Sequence, residues 1–359
     1  MKIGYYGDGP WAHQALERIT AAPGLSVAFI AARAQNPDPV LKAAALRLDV
    51  PFFTERNVND PAFVARVRGL APDLQVSMSF DQIFHRPLLE AAPSGMINCH
   101  AGALPFYRGR NILNWALING EDRFGVTVHY VDPGIDTGDI IVQRFSPISD
   151  ADTYATLLEA ATRLCAEALY EAVTAIRDGQ ATRTPQASLH PVGFYCSRRR
   201  PGDEWVDWQW SSERIYNLIR ALTLPGPAAR TVLDGKVLAL LSAEPIPGAP
   251  AYIDRPGTVV GRDGSGIVVK TGDTTIRLTG VADVEADGAL GAHRLPGYRI
   301  GTIFGMDPWQ LLEEMRTRVA ALERRLAVQA GASDPGKNYP NERLDQDPGA
   351  PRSIDPKRH

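Results

Sequence analysis

The sequence predicts an α/β protein, with a sheet of mostly parallel strands wound with helices, followed by a smaller β-rich domain. Three observations carry that expectation. Through the first hundred positions, short apolar runs alternate with helix-period stretches of about ten residues, the pattern of βαβ units. After a long amphipathic stretch at residues 152–178 the character changes, and short apolar runs alternate with Gly and Asp turns instead. A length of 359 residues allows two or three domains.

The elements follow in order. Residues 2–6 read as a strand closed by Gly7-Asp8-Gly9-Pro10. Pro10 suits the first turn of a helix over 11–20. Strands are expected at 25–32, 51–53, 74–79 and 95–98, with helices at 39–48, 60–70 and 87–91 between them. In such sheets ligands bind beyond the carboxyl ends of the strands. Residues 152–178 place Leu157, Ala161, Leu164, Ala168 and Ala172 at helical spacing, and Gly179 stops the helix. Residues 180–191 have little periodicity and read as a linker. A helix over 211–222 and strands at 236–241, 257–260, 266–270 and 274–278 suggest a small barrel. Asp307-Pro308 caps a last helix. Its Leu312, Met315, Val319, Leu322 and Leu326 form a two-heptad seam, expected to pack on its own domain, with a homodimer seam as the alternative. Residues 331–359 are rich in Pro, Gly, Asp and Asn and read as disordered. The expected division is thus 1–188, 189–304, a helix over 305–330, and the tail.

Composition narrows the class. Apolar residues make up 44% and charged residues 22%, which excludes wholesale disorder and collagen-like chains. With 38 basic and 41 acidic residues, the net charge of -3 argues against a polybasic nucleic-acid binder. No apolar run reaches the roughly 20 residues of a membrane span, so no membrane partner is expected. The first residues lack a signal peptide's apolar core, and Cys99, Cys165 and Cys196 are too scattered for a disulfide framework or a cysteine metal site. A cytoplasmic enzyme is the expectation.

Residues 98–140 carry the chemistry. Asn98 and His100 are two apart at a strand end, so their side chains share a face. An amide there can donate to a developing oxyanion, and an imidazole can move protons near neutral pH. Leu104-Pro105-Phe106-Tyr107-Arg108-Gly109 makes a tight loop, 110–119 a helix carrying Trp115, and 124–131 a strand. Asp136, in the loop that follows, could orient the histidine and stabilise its cation. His129 reads as a strand-face residue and Cys99 as packing. The seven histidines are dispersed and show no metal-ligand spacing, so no metal is expected. Gly7 and Gly9 lack the full G-x-G-x-x-G, which argues against a dinucleotide.

These residues resemble the 10-formyltetrahydrofolate-dependent formyltransferase family. The match runs through Asn98 and His100, then Leu104, Pro105, Tyr107, Arg108 and Gly109, then Gly125, Val126 and Thr127, then Asp136, Gly138, Asp139 and Ile140. It covers most of residues 1–304. The resemblance implies a Rossmann-like catalytic domain followed by an OB-like barrel. It also implies a catalytic trio of Asn98, His100 and Asp136, and 10-formyltetrahydrofolate as co-substrate. The folate pocket would combine Ser77, Met78, Ser79, Phe80 and Ile83 with Val131, Asp132 and Gly134.

The acceptor amine is the open choice. A tRNA partner calls for a basic second domain. Residues 190–304 hold 13 basic and 12 acidic residues, a net +1 with only Arg198-Arg199-Arg200 clustered. An amino-sugar nucleotide is therefore the first expectation, because the segments around Arg108 and His129 look like the nucleotide-sugar branch. Arg108 or Arg110 would meet its diphosphate, and Trp115 or Tyr195 would stack on a ring. Methionyl-tRNA stands second. An amino-acid or siderophore amine, hydrolysis of 10-formyltetrahydrofolate, and a noncatalytic folate-binding module are further alternatives.

Overall fold

The alternating segments become, in chain order, β1 (Lys2–Gly7), α1 (Gly9–Ala21), β2 (Ser26–Ala31), α2 (Pro39–Leu48), β3 (Phe52–Phe53), α3 (Pro61–Leu70), β4 (Leu74–Met78), α4 (Arg86–Leu89) and β5 (Met96–His100). The structure is a computed structural model and describes residues 1–305 and 308–329. Local chemistry starts the helices. Pro10, Pro39 and Pro61 stand in first turns, where a missing N–H costs nothing. The Asp38 carboxylate accepts from the N–H groups of Val40 and Leu41, and that of Asp60 from Ala62.

The chain continues through β6 (Arg108–Gly109), α5 (Ile112–Ile118), β7 (Arg123–Tyr130), β8 (Ile140–Pro147) and the long α6 (Tyr154–Arg177). One sheet has the order β3-β2-β1-β4-β5-β7-β8. Pairing is parallel from β3 to β5, and antiparallel at β5·β7 and β7·β8. β8 was not expected from the sequence. It lies at the sheet edge and only its first three residues are buried, so it carries little apolar alternation. All five residues of β4 are buried, as in a sheet covered on both faces.

Then follow α7 (Gln186–Leu189), β9 (Tyr195–Cys196), α8 (Ser212–Leu222), β10 (Ala229–Leu233), β11 (Lys236–Pro245), β12 (Val259–Asp263), β13 (Gly266–Lys270) and β14 (Thr275–Asp283). The last five strands form an antiparallel sheet of order β10-β11-β14-β13-β12, the β-rich part expected. α8 turns Ile215, Leu218, Ile219 and Leu222 inward, and Asn114 of α5 donates to the Ala221 carbonyl. One apolar core therefore runs from β1 through α5 and α8 to β14, and Met1–Gly305 forms one compact unit.

α9 (Pro308–Gln329) belongs to a second unit. Its Leu312, Met315, Val319, Leu322 and Leu326 are each at least half exposed. The expected cap Asp307 and the expected disordered tail at 331–359 lie outside the described residues. Among the described residues no helix is long and apolar enough to cross a membrane.

Candidate active site

Asn98 and His100 leave β5 on one face, as strand alternation requires. β5 lies between parallel β4 and antiparallel β7, and its register puts Asn98 opposite His129 and His100 opposite Thr127. The loop between β7 and β8 brings in Asp136, which holds a left-handed φ of 53°. His100 Nδ1 lies 3.7 Å from Asp136 Oδ2.

The tautomer of His100 follows from its other contact. Nε2 sits 2.7 Å from the Tyr107 carbonyl oxygen, which can only accept, so Nε2 carries the proton. In the neutral ring Nδ1 is then the free base, facing Asp136. The Tyr107 carbonyl fixes the ring, and the carboxylate stands where a proton arriving at Nδ1 would be stabilised. The Tyr107 carbonyl thus joins Asp136, the expected orienting group, beside the imidazole. Burial pushes the His100 pKa below its ordinary value, with Asp136 pulling the other way. For Asp136, burial acts to raise the pKa. The His129 side chain, His100 and the Gly109 N–H outweigh it and hold the group at about 2.

His129 is not a plain strand-face residue. It is buried, and its Nδ1 lies 2.8 Å from the Tyr130 carbonyl. Its Nε2 lies 3.4 Å from Asn98 Nδ2 and 3.5 Å from Asp136 Oδ1. It therefore sits between the amide and the carboxylate. Cys99 points the other way and places Sγ 3.6 Å from the Cys165 carbonyl.

A cavity of about 860 Å³ opens at the carboxyl ends of β4 and β5. Ser77, Met78, Ser79, Phe80, Ile83, Val131, Asp132 and Gly134 all line it, together with Asn98, His100 and Asp136. Met78 also belongs to the core, Phe80 stacks on Phe84 at 5.6 Å, and Ile83 is exposed. The Asp132 carboxylate is taken up by its own loop, accepting from Gly134 N and Thr137 Oγ1. Arg110, Tyr195 and Arg198 line the same cavity.

Two expected acceptor contacts lie elsewhere. Arg108 is outside the cavity lining, its guanidinium committed to Gln186 Oε1 and set over the Tyr195 ring. Trp115 is also outside it, with its indole N–H donating to the Ser197 carbonyl. Three further contributors were given no site role from the sequence: His129, the Tyr107 carbonyl and Gln186. Pairing of residue 98 with 129 would have found the first. The other two need the loop geometry. Among the described residues no group of three or more His, Cys, Asp and Glu is placed to hold a metal.

Residues 13–173 match the formyl transferase family, and residues 199–286 its C-terminal domain. The chain is 33% identical to the methionyl-tRNA formyltransferase of Syntrophus aciditrophicus, over 71% of this chain and 84% of that protein. It is 35% identical to that of Geobacter sulfurreducens, over 73% and 83%. Among solved structures it is similar to WlaRD, a sugar 3N-formyltransferase crystallised in the presence of dTDP and 5-N-formyl-THF. That match has a TM-score of 0.59 and 21% identity, covering 77% of this chain and 97% of that one. An N-formyltransferase from Helicobacter canadensis, in complex with folinic acid and dTDP-3-aminofucose, matches with a TM-score of 0.60 and 19% identity, covering 77% and 99%.

Proposed function

The chain belongs to the formyl transferase family, and on that premise we propose that it moves a formyl group from 10-formyltetrahydrofolate to the primary amine of an amino-sugar nucleotide. The cavity suits the folate. Met78, Phe80, Ile83 and Val131 offer apolar surface to a flat ring, and the loops at 77–83 and 131–136 bring backbone polar groups for its edge. When bound, 10-formyltetrahydrofolate supplies the electrophilic formyl carbon.

The chain's own groups do the rest. Asn98 has two amide hydrogens, and only one faces His129. The other is free to donate to the formyl oxygen as it gains charge. His100 takes the proton of the attacking amine at Nδ1, and Asp136, ionised at neutral pH, stabilises the imidazolium that results. The lowered pKa of His100 keeps it neutral and ready at pH 7.

One observation carries the choice of acceptor. Arg110, Arg198 and Tyr195 line the cavity that holds His100, two cations for a diphosphate and a ring for a planar or sugar face. The near-neutral balance of residues 190–304 supports the same reading, since a nucleic-acid partner would need more positive charge there. The names of the sequence relatives favour a second reading, methionyl-tRNA as acceptor. Tetrahydrofolate release measured across a panel separates the two. Amino-sugar nucleotides should drive turnover and methionyl-tRNA should not. Turnover with tRNA alone would reverse the choice, and turnover without any amine would indicate a hydrolase.

A further inference from the structure

Gln186 has both ends of its amide engaged. Its Oε1 accepts from Arg108 Nε at 3.1 Å and Nη2 at 2.6 Å. Its Nε2 donates to the carbonyls of Asp136 and Gly138, both at 2.8 Å. Only this orientation satisfies all four partners, because guanidinium nitrogens only donate and carbonyls only accept. The side chain is 4% exposed. Just before it, Thr184 exchanges two backbone hydrogen bonds with Ile140, so the linker is laced to the end of the Asp136 loop.

Asp136 needs such a hold. A left-handed φ is less favourable for Asp than for Gly and is held where neighbours enforce it. The Gly109 N–H fixes its carboxylate, at 2.9 Å from Oδ2. Gln186 fixes its carbonyl and, through Arg108, ties the loop that supplies Gly109 to the loop that supplies Asp136.

We propose that Gln186 is a positioning residue for formyl transfer: by bridging Arg108 to the Asp136 and Gly138 carbonyls it holds the Asp136 carboxylate beside His100. The inference rests on the catalytic roles proposed above. The charged and titratable groups facing His100 are Asp136 from the loop after β7 and His129 from β7, with the Tyr107 carbonyl on the far side.

The test uses two variants of the full chain. Gln186→Ala removes both sets of bonds. Gln186→Glu keeps the acceptor for Arg108 and sets an ionised carboxylate against two carbonyl oxygens. An NMR titration of the His100 imidazole needs no acceptor substrate. In both variants its midpoint should move to lower pH by about half a unit or more, because a displaced Asp136 stabilises the imidazolium less. With an acceptor that turns over, kcat should fall about 10–100-fold, the cost of an ångström-scale misplacement, while KM for folate stays within about threefold. Lowered thermal stability with kcat and the His100 midpoint unchanged would overturn the proposal, as would wild-type behaviour of Gln186→Glu. A shifted midpoint with unchanged kcat would instead count against the assignment of His100 as the base.

Discussion

Gly102 has no room for a side chain, and the reason lies in the geometry around His100. A Cβ built there would stand 2.4 Å from the Tyr107 carbonyl oxygen and 2.5 Å from His100 Nε2, the two atoms whose hydrogen bond fixes the histidine. The carbonyl is backbone and cannot move cheaply, so in Gly102→Ala the imidazole must swing away. Forcing a methyl into a packed site costs about 1–3 kcal/mol. Unfolding entropy grows with length, so a unit of this size loses about 1.6 °C per kcal/mol and the melting temperature should fall by about 2–5 °C. The larger effect is on rate. With Nδ1 displaced from the amine, kcat should drop about 100-fold, and KM for folate should hardly change. Gly69→Ala is the control, because nothing lies within 4 Å of its Cβ and it sits in α3. Tetrahydrofolate formation at saturating substrates reads the rate, and a melting curve reads the fold. A variant with a lowered melting temperature and kcat within twofold of the parent would refute the role of the Tyr107 carbonyl.

Four further outcomes are expected. Asn98→Ala removes the oxyanion donor and should lower kcat by about 100–1,000-fold with the fold intact by circular dichroism. Activity should rise with pH through a midpoint below 6.5, because burial lowers the pKa of His100 and the neutral ring is the active form; a midpoint above 6.5 in the pH–rate profile would contradict this. The same burial makes the unfolded chain bind more protons below pH 6.5, so stability should decline from there downward, and the share owed to Asp136 should be lost between about pH 4 and its folded value of about 2. Arg110→Ala should raise KM for a nucleotide-linked amine about 10–100-fold, the worth of one charge-assisted hydrogen bond, and leave KM for folate unchanged in steady-state kinetics.

The parallel strands were legible because apolar residues recur along them between turn residues, as Leu74, Val76 and Met78 do in β4, although burial of all five positions there also takes in Gln75 and Ser77. β8 was not, because an edge strand with exposed Arg144 and Phe145 has no period to detect. Residues 98, 100 and 136 could be singled out from spacing and resemblance, and the structure brings all three to one cavity. The contributions of Tyr107 and Gln186 could not. One acts through a backbone carbonyl, which any residue possesses, and the other from the linker, 50 residues beyond the aspartate loop it holds. Arg108 and Trp115 were read as acceptor contacts because their types suit phosphate and rings. The structure spends both on internal hydrogen bonds, to Gln186 and Ser197. Residue type indicates what a side chain can do, and only the packing decides which partner it meets.

The central claim is that this cavity joins a formyl donor to the amine of a sugar nucleotide through the base at His100. The most direct measurement follows the carbon itself. The protein is incubated with 10-formyltetrahydrofolate labelled in the formyl group, an amino-sugar nucleotide and methionyl-tRNA together, and the label is located by mass spectrometry. Label on the sugar nitrogen, lost in His100→Ala, is the predicted result. Label on methionyl-tRNA or in free formate alone would contradict it.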